Sequence, residues 1–413
     1  MSPAALHHAP ASAHQRIARL ATLTAVHRAF HWLHLHQPQL RLWQLEMLAI
    51  PAPPFGETAR AEWFLAIFEA LGLANVHLDG AGNALAELKP ADATELPCIL
   101  LSAHLDTVFP ATTVSIPSED GGRILCPGAC DNAAGLTALL AIAAALRFAD
   151  VVPPIPILFA ANVGEEGEGD LRGMRHLFDH GAYRDRIAAA IALEGSGTPA
   201  VVTRALASRR FRVTVTGPGG HSWTDAGRPN PILILSRALS QLAEIQLPDE
   251  PRTTLNVGHI SGGTSINSIP ESATALIDLR STDAGEMRAT EALMRAILDG
   301  VAKVDTIGDR PGGALPEDSP LLHTIRAVDR HLALHSELRM GSTDANIPLA
   351  LGVPAVAMGA GGTGGGIHTL SEWYDPTGRE TALRRILLTL LDTVRLAAEG
   401  AGADDGALDT LPS

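Results

Sequence analysis

Four short apolar runs, CILLSA (98–103), IPILFAA (155–161), AAAIAL (188–193) and VPAVAM (353–358), each lead into an acid or a histidine. The first ends at His104-Leu105-Asp106, and the second leads into Gly164-Glu165-Glu166. The third ends at Glu194, and the fourth passes through a glycine loop to His368. Runs this apolar predict buried strands. Their alternation with helical patterns predicts an α/β domain with a mixed, mostly parallel sheet and helices on both faces. Sheets of this kind hold ligands beyond the carboxyl ends of their strands, so the polar residues gathered there form the candidate functional set. Asp131, at the start of the Ala/Leu helix AAGLTALLAIAAALRF, joins them.

The stretch between residues 206 and 315 follows another pattern. RFRVTVTG alternates as a half-buried strand, PILILSRALSQLAEI is helical, and TTLNVGHISG and SATALIDLRS are strands. A helix, AGEMRATEALMRAILDGVA, and a strand, KVDTIGD, complete it. The order β-α-β-β-α-β is that of a ferredoxin-like module. Candidate site residues lie on both sides of it. The expected division is therefore a catalytic domain over 1–205 and 316–413, interrupted by an inserted lid or dimerisation domain over 206–315.

Composition excludes several classes. The chain has 413 residues, 46% of them hydrophobic and 18% charged, enough apolar material for real cores and too much for a disordered chain. Its net charge of −14 offers phosphate no cationic counterpart, so no nucleic-acid partner is expected. The longest apolar run begins directly after Asp131 and Asn132 and is short of a membrane span, so no membrane partner is expected either. Three cysteines (Cys98, Cys126, Cys130) are too few for a disulfide scaffold, and the start of the chain lacks a secretory pattern. A reducing cytoplasm is the expected location. Seven of the 17 histidines (His7, His8, His14, His27, His31, His34, His36) precede residue 37 with few carboxylates beside them, and read as a solvated amphipathic stretch. The C-terminal AAEGAGADDGALDTLPS reads as a polar tail.

Imidazoles and carboxylates at strand ends suit a borderline cation such as zinc. If all of them converge they exceed the ligands of one ion, and a two-metal site with one shared carboxylate is the economical reading. In the pair Glu165-Glu166 one acid can ligate while the other serves as general base. Asp106, two residues beyond His104 on an extended segment, returns to the same side and is placed to accept the second imidazole N–H. Two rivals remain at this point. One is a nucleotide-dependent oxidoreductase, suggested by GAGGTG (359–364), although the following IHTLSEWYDP does not open a helix. The other is a non-catalytic metal-binding protein.

AHLDT (103–107), ACDNAAG (129–135), GEEGEGDLRG (164–173), ALEGSG (192–197), GPGGHS (217–222) and GIHT (366–369) resemble, in order and spacing, the motifs of the co-catalytic zinc peptidase and deacylase family. That family includes peptidase T, carboxypeptidase G, aminoacylase and acetylornithine deacetylase. The resemblance implies two Zn²⁺ per chain, with Co²⁺ or Mn²⁺ as substitutes. His104, Asp131 and Glu194 would hold one ion, and Asp131, Glu166 and His368 the other. Glu165 would be the catalytic base and acid beside a metal-bridged hydroxide, and Asp131-Asn132 a cis peptide. Asn132 departs from the Asp-Asp pair many members carry. His221, on the glycine-rich loop of the inserted module, would polarise the scissile carbonyl, within one subunit or across a homodimer formed through that module. Asn267 and Arg280 would bind the substrate's backbone and carboxylate, a task for which a guanidinium fork is suited. The glycine loop through Gly361 and Gly362 offers backbone N–H groups to the same anion. The implied activity is a zinc-dependent exopeptidase acting on di- or tripeptides with a free carboxylate. The alternative is an N-acyl amino acid deacylase.

Overall fold

The computed structural model describes residues 12–90, 96–113 and 116–402. His7 and His8, and the end of the C-terminal tail, lie outside them. The chain divides into two compact units, residues 1–203, 314–339 and 343–413 in one, and 204–313 with 340–342 in the other.

The first unit is built on four parallel strands: β1 (Cys98–His104), β2 (Ile157–Asn162), β3 (Ile187–Leu193) and β4 (Ala355–Met358). They lie in the order β2-β1-β3-β4 within a larger mixed sheet. β1 pairs in parallel with β2 and β3, and β3 with β4. Antiparallel strands extend both sides, Ala84–Leu88 against β2 and Ala200–Ala205 against β4. Every residue of β1, β2 and β4 is buried, which is why their sequences read as continuous apolar runs. Helix α1 (Ala133–Phe148) packs on β1, β2 and β3, and helix α2 (Arg379–Gly400) on β1 and β3.

Helix α1 forms for local reasons. Its Ala/Leu composition has high helix propensity, and the Asn132 side chain caps it by accepting the Gly135 N–H at 3.1 Å. At Gly135 a Cβ would sit 2.5 Å from the Leu193 carbonyl oxygen, so only glycine lets this helix start so close to the end of β3. No helix among the described residues is long and apolar enough to cross a membrane. The three cysteines are buried, and none forms a disulfide among the described residues.

The second unit is a four-stranded antiparallel sheet in the order Thr253–Gly262, Ser272–Ser281, Ala207–Thr216, Lys303–Arg310. Helices Pro231–Leu242 and Ala284–Leu298 pack on it and on each other. Strand order and connectivity are those of a ferredoxin-like module. The alternation seen in the sequence has its cause here. Phe211, Val213, Val215, Ala275, Ile277 and Leu279 share a core with Leu235 and Met294, while the residues between them face away.

In the first unit, Arg385 is almost fully buried and depends on Asp329, whose oxygens accept from Nε at 2.6 Å and Nη2 at 3.0 Å. Asp329→Ala leaves that guanidinium buried without its counter-charge. The expected loss is about 3–5 kcal/mol, read from the urea midpoint. A midpoint equal to wild type would contradict it.

Candidate metal and catalytic centre

The carboxyl ends of the parallel strands bring five residues from distant parts of the chain together. His104 closes β1, Glu194 follows β3, Glu166 lies in the turn after β2, Asp131 precedes the cap residue of α1, and His368 lies on the loop after β4. His104 Nε2 lies 3.1 Å from Asp131 Oδ1 and 3.4 Å from Glu194 Oε1. His368 Nε2 lies 3.1 Å from Asp131 Oδ2 and 2.8 Å from Glu166 Oε1. Asp131 thus presents one oxygen to each imidazole. His104, Asp131 and Glu194 form one group with ligand atoms within 4.8 Å of one another, and Asp131, Glu166 and His368 form a second. Glu165 meets the same distance limit with His104 and Glu166. The donor set is imidazole and carboxylate in two clusters sharing one acid, which suits two divalent cations.

Electrostatics explain why such a cluster needs cations. Burial opposes charge on His104, but Glu194, Asp106 and Asp131 outweigh it and hold this imidazole well above its ordinary range. His368 is pushed up to about 9, first by its hydrogen bond to Asp131. Burial, reinforced by Glu165 and Asp131, pushes Glu166 up to about 7, and burial pushes Glu194 up to about 8. Burial would raise Asp131 as well, yet its bonds to both imidazoles hold it below the usual carboxylate range. The protein alone therefore keeps protons where a metal ion would sit.

The supporting contacts are specific. Asp106 faces the second nitrogen of His104, Nδ1, with its main-chain oxygen at 3.0 Å and its carboxylate at 3.5 Å. The Asp106 carboxylate accepts the backbone N–H groups of Glu165 (2.9 Å) and Glu166 (2.8 Å), so it orients the turn that carries both acids. The Asp131-Asn132 peptide is cis. The Asn132 side chain is occupied away from the cluster, accepting from Gly135 and Gly195 and donating to the Leu193 carbonyl. Glu372, which the sequence did not single out, accepts from the N–H groups of Gly128, Cys130 and Asp131 at 2.7–2.9 Å. Its only signal in the sequence is a place four residues after His368.

The glycine loop corrects an expectation. Gly361 donates its N–H to the Gly197 carbonyl at 2.9 Å, so that group is not open to an anion. At Gly362 a Cβ would lie 2.4 Å from the Asp375 carbonyl oxygen, and close packing accounts for this glycine. The loop then enters a short strand, Thr363–Gly365, and not a helix, which removes the dinucleotide-binding reading.

In the second unit, His221 Nδ1 accepts from the backbone N–H groups of Trp223 (3.2 Å) and Thr224 (3.3 Å). An accepting Nδ1 leaves the ring proton on Nε2, as a donor needs. The His221 strand pairs with the segment next to Asn267, and the Asn267 main-chain oxygen accepts from Ser222 at 2.9 Å. Asn267 Oδ1 accepts from the Ser265 hydroxyl. Arg280 lies on the Ser272–Ser281 strand, its Nε on Asp278 Oδ2 at 2.7 Å.

A family model described as peptidase family M20/M25/M40 matches residues 100–394. The chain belongs to this family. Protein YqjE of Bacillus subtilis, itself uncharacterized, is 27% identical over 71% of this chain and 80% of its own length. A probable carboxypeptidase of Aspergillus clavatus is 32% identical over 58% of this chain and 57% of its own length. The crystal structure of a tripeptidase from Staphylococcus aureus superposes with a TM-score of 0.68 at 22% identity, covering 87% of this chain and 98% of that one. The M20 chain is a hydrolase of amide bonds, and its family is generally dependent on two metal ions.

Loading of this M20 site should release protons, because Glu166, Glu194 and the two imidazoles hold them in the metal-free protein. At a pH below about 7 both raised acids are protonated and compete with the cation. Apparent Zn²⁺ affinity should therefore strengthen by more than about tenfold between about pH 6 and about pH 8, measured by chelator competition. An affinity unchanged over that range would contradict the proton-filled site.

Proposed function

We propose that this M20 chain is a zinc-dependent exopeptidase that cleaves di- or tripeptides bearing a free carboxylate. One observation carries the reading: Asp131 faces two imidazoles, each with its own further acid, and Glu165 stands beside them on the turn that Asp106 fixes. A protein that merely stored metal would have no need of a second acid oriented in this way.

His104, Asp131 and Glu194 would hold one Zn²⁺, and Asp131, Glu166 and His368 the other. When bound, the two cations supply Lewis acidity that lowers the pKa of a water and polarises a carbonyl. Glu165 takes the proton of the attacking water as it adds to the carbonyl carbon, then delivers it to the leaving nitrogen as the C–N bond breaks. His221, protonated at Nε2, donates to the oxygen on which charge develops. Asn267 positions the substrate's backbone, and Arg280 binds its carboxylate through its terminal nitrogens while Asp278 holds Nε. The Thr253–Gly262 strand edges its sheet and exposes Val257 and Ile260, which supports a homodimer formed through this unit.

Glu165→Gln should keep both metals, by elemental analysis, and lose nearly all turnover. Retention of more than about a tenth of wild-type kcat, a barrier change of only ~1.4 kcal/mol, would remove Glu165 from the role of base. A mass-spectrometric screen of the zinc-loaded protein against dipeptides, tripeptides and N-acyl amino acids should show cleavage of the peptides. Turnover confined to N-acyl amino acids would make it a deacylase.

A further inference from the structure

We propose that Glu372 is a positioning residue that fixes the shared acid, Asp131, midway between the two metal sets; the proposal rests on the dinuclear reading above. Glu372 is 1% exposed. Oε1 accepts from the N–H groups of Cys130 (2.9 Å) and Asp131 (2.8 Å), and Oε2 from that of Gly128 (2.7 Å). Its own main-chain oxygen accepts from Cys126 at 3.1 Å. The segment that carries His368 therefore grips, four residues later, the backbone of the very residue His368 faces.

Asp131 must present one oxygen to each imidazole at 3.1 Å, so a small rotation of its backbone disturbs both contacts at once. Glu372 prevents that rotation from one side. Gln44 meets the same loop through another bond, Nε2 donating to the Ala129 carbonyl at 3.0 Å. The choice of residue is informative. A further carboxylate near Asp131 adds repulsion to a region already rich in acids. Only a carboxylate, however, offers two oxygens and no donor, and so can accept all three N–H groups. A glutamine of the same shape sets its NH₂ against at least one of them.

The test is a Co²⁺ titration of the full-length Glu372→Gln protein, read by visible absorption and by the spin coupling of the two ions in electron paramagnetic resonance. The expected result is Co²⁺ affinity weakened by about 10- to 100-fold and loss of the wild-type coupling, in protein that remains folded at the titration temperature. Wild-type affinity and coupling, with only a lowered melting midpoint, would show a merely structural residue and overturn the proposal. If Glu372→Gln does not fold, Glu372→Asp takes its place. It keeps two acceptor oxygens but shortens their reach to the three N–H groups, and should weaken Co²⁺ binding to a smaller degree; unchanged binding and coupling overturn the proposal. Failure of the wild-type protein to bind two Co²⁺ would instead sink the dinuclear reading itself.

Discussion

The carboxylate of Asp131, one oxygen turned to His104 and the other to His368, is the interaction on which the rest of the site depends. Around it stand Glu165, Glu166 and Glu194, acids that cannot all be ionised in a buried cleft without compensating positive charge. In the protein alone that charge is borne by protons on two imidazoles and on the raised carboxyls of Glu166 and Glu194. The cluster is thus built against its own electrostatics. It persists because each member is fixed by a scaffold whose stability lies elsewhere, in the buried strands and in α1 and α2.

How that scaffold holds the cluster follows from one rule of parallel sheets. Strands that run the same way deliver their carboxyl ends to one edge, and residues far apart in sequence meet there. The loops are then tied to each other more than to solvent. Asp106 holds the Glu165-Glu166 turn, Asn132 joins the start of α1 to the end of β3, and Glu372 joins the His368 loop to the backbone of Asp131. His368 itself adopts a left-handed backbone (φ 64°), a conformation that costs a non-glycine residue about 1–3 kcal/mol and survives only where its surroundings impose it.

These differences explain what could be read from the sequence. The β1 to β4 strands were legible because burial on both faces demands unbroken apolar runs, and the strands of the second unit because one-sided burial demands alternation. Residues at the ends of those runs were legible because a charge immediately after a buried strand is unusual enough to notice. Asp106 stands out for the same reason, but only part of its role does: spacing shows that it faces His104, not that its carboxylate also accepts the backbone N–H groups of Glu165 and Glu166. Glu372 was invisible, since its partners are backbone N–H groups 240 or more residues earlier and backbone groups leave no mark in a sequence. Gly361 misled for the converse reason. A glycine signals that backbone is approached closely, and the approaching group is the Gly197 carbonyl.

The histidines show the same limit from the other side. Their count of 17 suggests a metal-rich protein, but abundance is not convergence. His34 pairs with Glu380, and His36 stacks on Trp32 with ring centroids 4.4 Å apart. His34 lies on the helix Thr24–Leu35 and His36 at the turn that ends it, both within the first unit, and neither belongs to a group of acids able to hold a metal. What distinguishes His104 and His368 is that the fold places a shared carboxylate between them. The information for that lies in strand order and loop anchoring, and is distributed over Asp106, Asn132, Gly135 and Glu372 as much as over the two histidines. A chain that kept every candidate ligand and lost these anchors would retain the motif and lose the geometry, because bridging requires that one acid satisfy two partners at once.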